Sequence, residues 1–289
     1  MVTAQAPVQS TVIARQKRLS RRARWLIFLV AWLIVLMPFL FWRSTWFGRP
    51  LSDVELNQYI HDTAKPRHIQ HALVQIGERL SRGDTHSVEQ WYPDLVKLAS
   101  LPVEEIRTTD AWVMGQAPRR PEFHAALLVL LNDSALNVRD NAALALVRYG
   151  DASGHAQIIS MLRPVSVTAS ASGTISQLAS AGEPIRGGTV VARIKSGSTS
   201  QDVRSPITGS VGLLAVKNGA TIASGAQIAA INPGTDQVWE ALRALYFIGT
   251  ADDLNDVKAY ERPQPNVADR VQQQARDTEK AIRARMIGR

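Results

Sequence analysis

The chain has 289 residues, 33 Lys or Arg against 25 Asp or Glu, and no cysteine, which excludes disulfides, thiolate metal sites and a cysteine nucleophile. The formal charge of +8 is concentrated: residues 1–49 hold Arg15, Lys17, Arg18, Arg21, Arg22, Arg24, Arg43 and Arg49 and no acid, leaving 25 basic against 25 acidic residues elsewhere. Charge so placed flanks an apolar segment and leaves no basic face for nucleic acid on the rest of the chain.

The first predicted element is WLIFLVAWLIVLMPFLFW, residues 25–42, with no charge in 18 residues. As a helix it spans about 27 Å, close to the hydrocarbon thickness of a bilayer. Tryptophans at both ends suit the two interfaces, and Pro38 sits near the far end, where a kink costs least. Six basic residues precede the segment, so the positive-inside rule makes residues 1–24 a basic cytoplasmic tail. The segment lacks a small-x-small cleavage site. The expectation is an uncleaved single-pass anchor in contact with lipid in a bacterial inner membrane, with everything after it periplasmic.

From Ser52 onward the apolar spacing is helical. In ALNVRDNAALALVRYGD, residues 135–151, Val138, Ala142, Ala145 and Leu146 share a face and Gly150 ends the helix. Similar units read at 69–78, 106–116 and 238–254. Taken as helix-terminating, Gly77, Gly115 and Gly150 lie 38 and 35 residues apart, which is repeat spacing. The unit resembles the second helix of a HEAT repeat of the bilin-lyase type, which implies a helical solenoid over 52–164. From Gly150 to Gly249 the gap jumps to 99 residues, and removing the 68 residues 166–233 returns it to 31. A β module is therefore set into the solenoid, which resumes over 236–289 and closes with a polar capping helix at 266–286.

Inside that insertion Gly182, Ile185, Gly188 and Ile194 recur as Gly219, Ile222, Gly225 and Ile231 at a constant offset of 37. Two glycines flanking a short apolar strand call for two tight turns. The duplicated half resembles the biotinyl/lipoyl barrel-sandwich hybrid, the family of lipoyl and biotin carriers that also supplies a domain of periplasmic adaptor proteins. The resemblance implies a small all-β barrel over 166–233. In lipoyl carriers the link between halves is a hairpin of the type I-E-x-D-K-A-x-x-E-V-x-S/A-P. Here Ile194, Asp202, Val203, Ser205 and Pro206 fall at corresponding places, and the Asp-Lys pair falls on Gly197 and Ser198. A hydroxyl cannot form the amide that holds a cofactor, so Ser198 implies a barrel without its cofactor. Lys195, three residues earlier, is the one substitute at hand. The long helical arm of the adaptors is also missing.

The remaining chemistry is sparse. His61, His68, His71, His86, His124 and His155 are the six histidines. His68 and His71, at i and i+3 with His61 nearby, are the one weak pattern for a metal, and surface histidines are the expected reading. DDLNDV, with Asp252, Asp253 and Asp256, lacks the central glycine of a calcium loop and reads as an inter-helix turn. G-x-S-x-G, G-x-x-x-x-G-K-[ST] and H-E-x-x-H are absent. Gly187-Gly188 precedes no helix pattern and reads as a β turn. Arg107 with Asp110, and Arg139 and Arg148 with Asp140, read as caps or inter-repeat ion pairs.

The expectation is thus a multidomain α + β chain: a transmembrane helix, then a HEAT-like solenoid interrupted by a barrel-sandwich hybrid. No catalytic residue, metal or cofactor is expected, and the role is a scaffold that binds protein partners in the membrane or envelope. An accessory adaptor of an inner-membrane export system and a cofactor-carrier subunit are the two alternatives.

Overall fold

The computed structural model describes residues 21–45, 49–263 and 267–287. The chain divides into two compact units, Met1–Pro50 and Leu51–Arg289. In the first, α1 (Arg21–Thr45) is a 25-residue helix. The expected membrane crossing is corrected here: among the described residues no helix is long and apolar enough to cross a membrane. Residues 40–42 of the expected span lie outside the described side chains, and residues 1–20 of the tail lie outside the described residues altogether. The single-pass topology and the inner-membrane location fall with that crossing.

The second unit mixes helix and sheet. Its helices before the sheets are α2 (Asp53–Ile60), α3 (Pro66–Ser81), α4 (Tyr92–Leu98), α5 (Glu104–Gln116), α6 (Pro121–Leu130), α7 (Leu136–Arg148) and α8 (His155–Ser160), with a 3-10 turn at His86–Trp91. After the sheets come α9 (Thr235–Ile248), α10 (Leu254–Lys258) and α11 (Asp269–Ile287). Local chemistry sets several starts. Ser52 and Glu55 close a capping box on α2, and Pro66 and Pro121 open α3 and α6 where a missing N–H costs nothing. Gly150, at φ 74°, ends α7 in the left-handed region.

The longer helices pack in sequence, α3 on α5, α5 on α7, α7 on α9 and α9 on α11. α7 is apolar on two sides. Val138, Ala142 and Leu146 join a core with Leu56, Ile76 and Trp91, whereas Ala143 and Val147 face a second core with Leu242, Leu245 and Ile282. Small residues make these approaches possible. Gly77 and Gly115 lie within α3 and α5 rather than beyond their ends, which corrects their reading as terminators. A Cβ at Gly77 would strike the Trp112 ring, and one at Gly115 would press on the Cβ and backbone of Ala145.

Strands β1 (Val165–Thr168), β2 (Gly173–Leu178), β3 (Pro184–Ile185), β4 (Val190–Ser196), β5 (Thr199–Arg204), β6 (Gly209–Leu214), β7 (Thr221–Ile222) and β8 (Gln227–Pro233) form two antiparallel sheets. Their orders are β1-β8-β6-β3 and β5-β4-β2-β7. One order maps onto the other when each strand is replaced by its counterpart in the other half, and the turn hydrogen bonds repeat in the same way. The amide of Gly182 donates to the carbonyl of Val211 at 2.7 Å, and that of Gly219 to Ile175 at 2.8 Å. Gly188 donates to Ser205 at 2.8 Å and Gly225 to Ala169 at 2.7 Å. All four glycines have φ between 80° and 82°. Apolar residues of both halves, among them Ile175, Ile194, Val211 and Ile231, fill the space between the sheets.

β1 pairs with β8, Val165 opposite Ile231, so the chain leaves the helices and returns to them at neighbouring points. Four side-chain bonds close this stem across more than 70 residues: His155 to Asp253 (2.7 Å), Arg163 to Asp256 (2.8 Å), the Tyr260 hydroxyl to the Leu162 carbonyl (2.6 Å) and the Gln237 amide to the Met161 carbonyl (3.2 Å).

Candidate functional site

The hairpin between the barrel halves turns through Gly197 and Ser198, with Ser196 paired to Thr199. Gly197 has φ 58°, so the tightness of this turn rests on glycine. Ser198 is exposed at the tip, and Lys195 is exposed on β4 opposite Ser200. Asp202 accepts from Arg193 at 2.7 Å and from Arg204 at 3.0 Å, and the hydrogen bond from Arg193 lowers its pKa. The hairpin presents a hydroxyl in its turn and an amine on β4.

The histidines are drawn apart. His68 stacks on Tyr59 with centroids 4.1 Å apart and bonds to Asp62 at 2.8 Å, while His71 pairs with Gln75. His61 faces Asp94 at 3.3 Å and His124 faces Asp151 at 2.5 Å. Among the described residues no three His, Asp or Glu side chains are grouped to hold a metal. Asp151 also accepts from the Ser153 hydroxyl and amide, and these bonds, chiefly, with His124 after them, hold its carboxyl at about 2. Asp253 caps its turn through Thr250, and Asp256 takes Arg163. Asp253 and Asp256 are therefore structural partners in the stem, while Asp252 is exposed.

The ion pairs expected within the repeats are redistributed. Arg107 pairs with Asp133 at 2.7 Å and leaves Asp110 alone. Asp110 is wholly buried, neither carboxylate oxygen has a hydrogen-bond partner among the described residues, and burial raises its pKa well above the usual range. Asp140 accepts from Gln157 at 2.5 Å, and burial lifts it to about 6. Arg139 bonds to carbonyls of Asp133 and Ser134 and to Gln157. Arg148 bonds to the neutral amide oxygen of Gln116 at 2.6 Å.

The surface that the sequence reading passed over is the outer side of α9. Arg243 and Arg270 lie over the Trp239 ring, 4.6 and 5.3 Å from its centroid. One helical turn on, Tyr246 and Phe247 meet edge to face at 5.2 Å and stay 41% and 66% exposed. This ridge separates two grooves, one of about 610 Å³ against α7 and one of about 560 Å³ against α11. Arg285 anchors the far side by donating to the carbonyls of Tyr246, Leu245 and Gly249. The signal in the sequence was Trp239, Arg243, Tyr246 and Phe247, spaced to share one helical face. A cleft of about 640 Å³ also lies between the barrel and α10, bordered by Arg163, Thr208, Asn232 and Tyr260.

No protein-family model matches the chain, and no curated protein matches it. Among solved structures, a single-chain, multi-domain long-chain acyl-CoA carboxylase is similar over 34% of this chain at 16% identity and a TM-score of 0.24. The chain spans about a tenth of that protein's length. A likeness so slight bears on neither fold nor function.

Proposed function

We propose that this protein is a protein-interaction scaffold, a stacked helical array carrying an unmodified barrel on a closed stem. The observation that carries the reading is the aromatic ridge of α9. Tyr246 and Phe247 stand exposed between two grooves while the remaining large apolar residues of α9 are buried or half-buried. Exposed aromatics flanked by arginine are the residue types that anchor protein interfaces. The resemblance of the helices to HEAT repeats, whose stacked layers present extended binding faces, and of the barrel to a carrier fold with serine at the lysine position, supports the same role. The four bonds across the stem favour a barrel displayed in a fixed attitude rather than one that swings.

The test places a photo-crosslinking residue in the full chain at Tyr246 or at Ser198, in the cells that make the protein. The reading expects one defined protein attached through Tyr246. If neither position captures a defined partner, the scaffold role is wrong.

A further inference from the structure

We infer that the groove between α7 and α9 binds an acidic amphipathic helical segment of a partner protein, with Phe247 and Arg148 as its two anchors. The inference rests on the scaffold reading and adds the chemistry of the partner. The apolar part of the groove is Leu144 and Val147 from α7 and Ala244, Phe247 and Ile248 from α9, with Arg148, Glu240 and Arg243 as its charged lining. A groove between two helices with an exposed aromatic at its lip fits the apolar face of a third helix.

Charge decides the sign of that helix. Glu240 is matched by Arg243 at 3.3 Å, and in the neighbouring groove Asp277 is matched by Lys280 at 3.9 Å. Arg148, the remaining cation, forms no ion pair among the described residues, and its bond goes to Gln116. Burial against the walls disfavours its charge, Glu240 offsets part of this, and Arg243 adds like-charge repulsion. A carboxylate beside Arg148 would relieve both. A lipid surface calls for several unpaired cations, and here Arg148 stands alone.

The experiment uses the full chain and a fluorescein-labelled synthetic helical peptide with leucines along one stripe and glutamates beside it, against the same peptide with lysines. Anisotropy is expected to show the glutamate peptide binding at least about tenfold more tightly. Arg148→Glu and Phe247→Ala are each expected to weaken it about tenfold, and Arg148→Glu to favour the lysine peptide. Val129→Ala, at an exposed site on α6, should change nothing. Equal binding of the two peptides, or indifference to Arg148→Glu, overturns the inference. So does dimerisation of the free chain that Phe247→Ala abolishes, or Phe247-dependent binding to phosphatidylcholine vesicles with one-third phosphatidylglycerol. A partner still crosslinked at Tyr246 while both peptides fail would sink the acidic-helix chemistry and leave the scaffold standing.

Discussion

The long helices of the array and the turns between the strands use glycine for opposite purposes. In the array Gly77 and Gly115 take ordinary helical conformations and matter for what they lack, since Trp112 and Ala145 occupy the place of a side chain. In the barrel Gly182, Gly188, Gly219 and Gly225 have nothing within 4 Å of a Cβ and matter for a φ near 80°. The two regions differ likewise in buried polarity. The array buries Asp110, Asp140, Asp253 and Thr278, whereas the buried polar residue of the barrel is Ser205, whose hydroxyl donates to the Ile207 carbonyl. The array adds buried carboxyls to close approach, and the β module adds turn conformation to it, since a Cβ at Gly173 or Gly209 would strike the Lys195 or Asn232 carbonyl.

Substitutions sharpen that contrast. Gly115→Val should cost about 3 kcal/mol or more in urea denaturation, because two further methyl groups meet the α7 backbone. Gly115→Ala should cost about 2 kcal/mol, although alanine is the better helix former by about 1 kcal/mol. A cost that does not grow from Ala to Val would refute the packing role. Asp151→Ala should lose about 2 kcal/mol at pH 7, following the drop of its carboxyl to about 2. The folded pKa lies below the unfolded one, so this stability is complete above pH about 4 and disappears as pH falls through 2. The gap between variant and parent should close in that window.

In the barrel, Gly188→Ala and Gly225→Ala should each cost about 1–2 kcal/mol, and Gly188→Asn less, because asparagine tolerates the left-handed region. Unequal costs at the paired sites would break the two-fold account. Asp110→Leu should leave stability unchanged or raise it by about 1 kcal/mol at pH 7, since no partner is stranded. The pKa of Asp110 is raised on folding, so its stabilising contribution is present below pH about 4 and lost as pH rises. The variant should therefore show a flatter stability profile above pH 4. The smallest effect is expected at Ser198→Ala, with unchanged stability and, in cells supplied with lipoate and biotin, an intact mass equal to the unmodified chain before and after substitution.

The same contrast explains what could be read in advance. A glycine needed for positive φ leaves a local, repeating trace, and the 37-residue offset pairs Gly182 with Gly219 and Gly188 with Gly225. At Gly77 and Gly115 the need is for space, and it leaves no local trace. The neighbours of Gly77 and Gly115 are 35 and 30 residues away, so both passed for helix ends. Asp110 misled for a similar reason. It lies three residues from Arg107, but Arg107 reaches out to Asp133 while Asp110 turns into the core, and a local charge pattern does not say which. Pro66 and Pro121, at the first positions of α3 and α6, are local features of the same kind. The ridge at Tyr246 and Phe247 was visible as a helical face, yet its exposure depends on how α7 and α11 flank it.

The central claim is that the helices present the binding face and the barrel is held beside it. Hydrogen exchange across the full chain, free and with the partner captured at Tyr246, tests this directly. The account predicts slowed exchange in α7 and α9, with the β4–β5 hairpin unchanged. Protection confined to residues 195–200, with α7 and α9 exchanging as in the free protein, would contradict it.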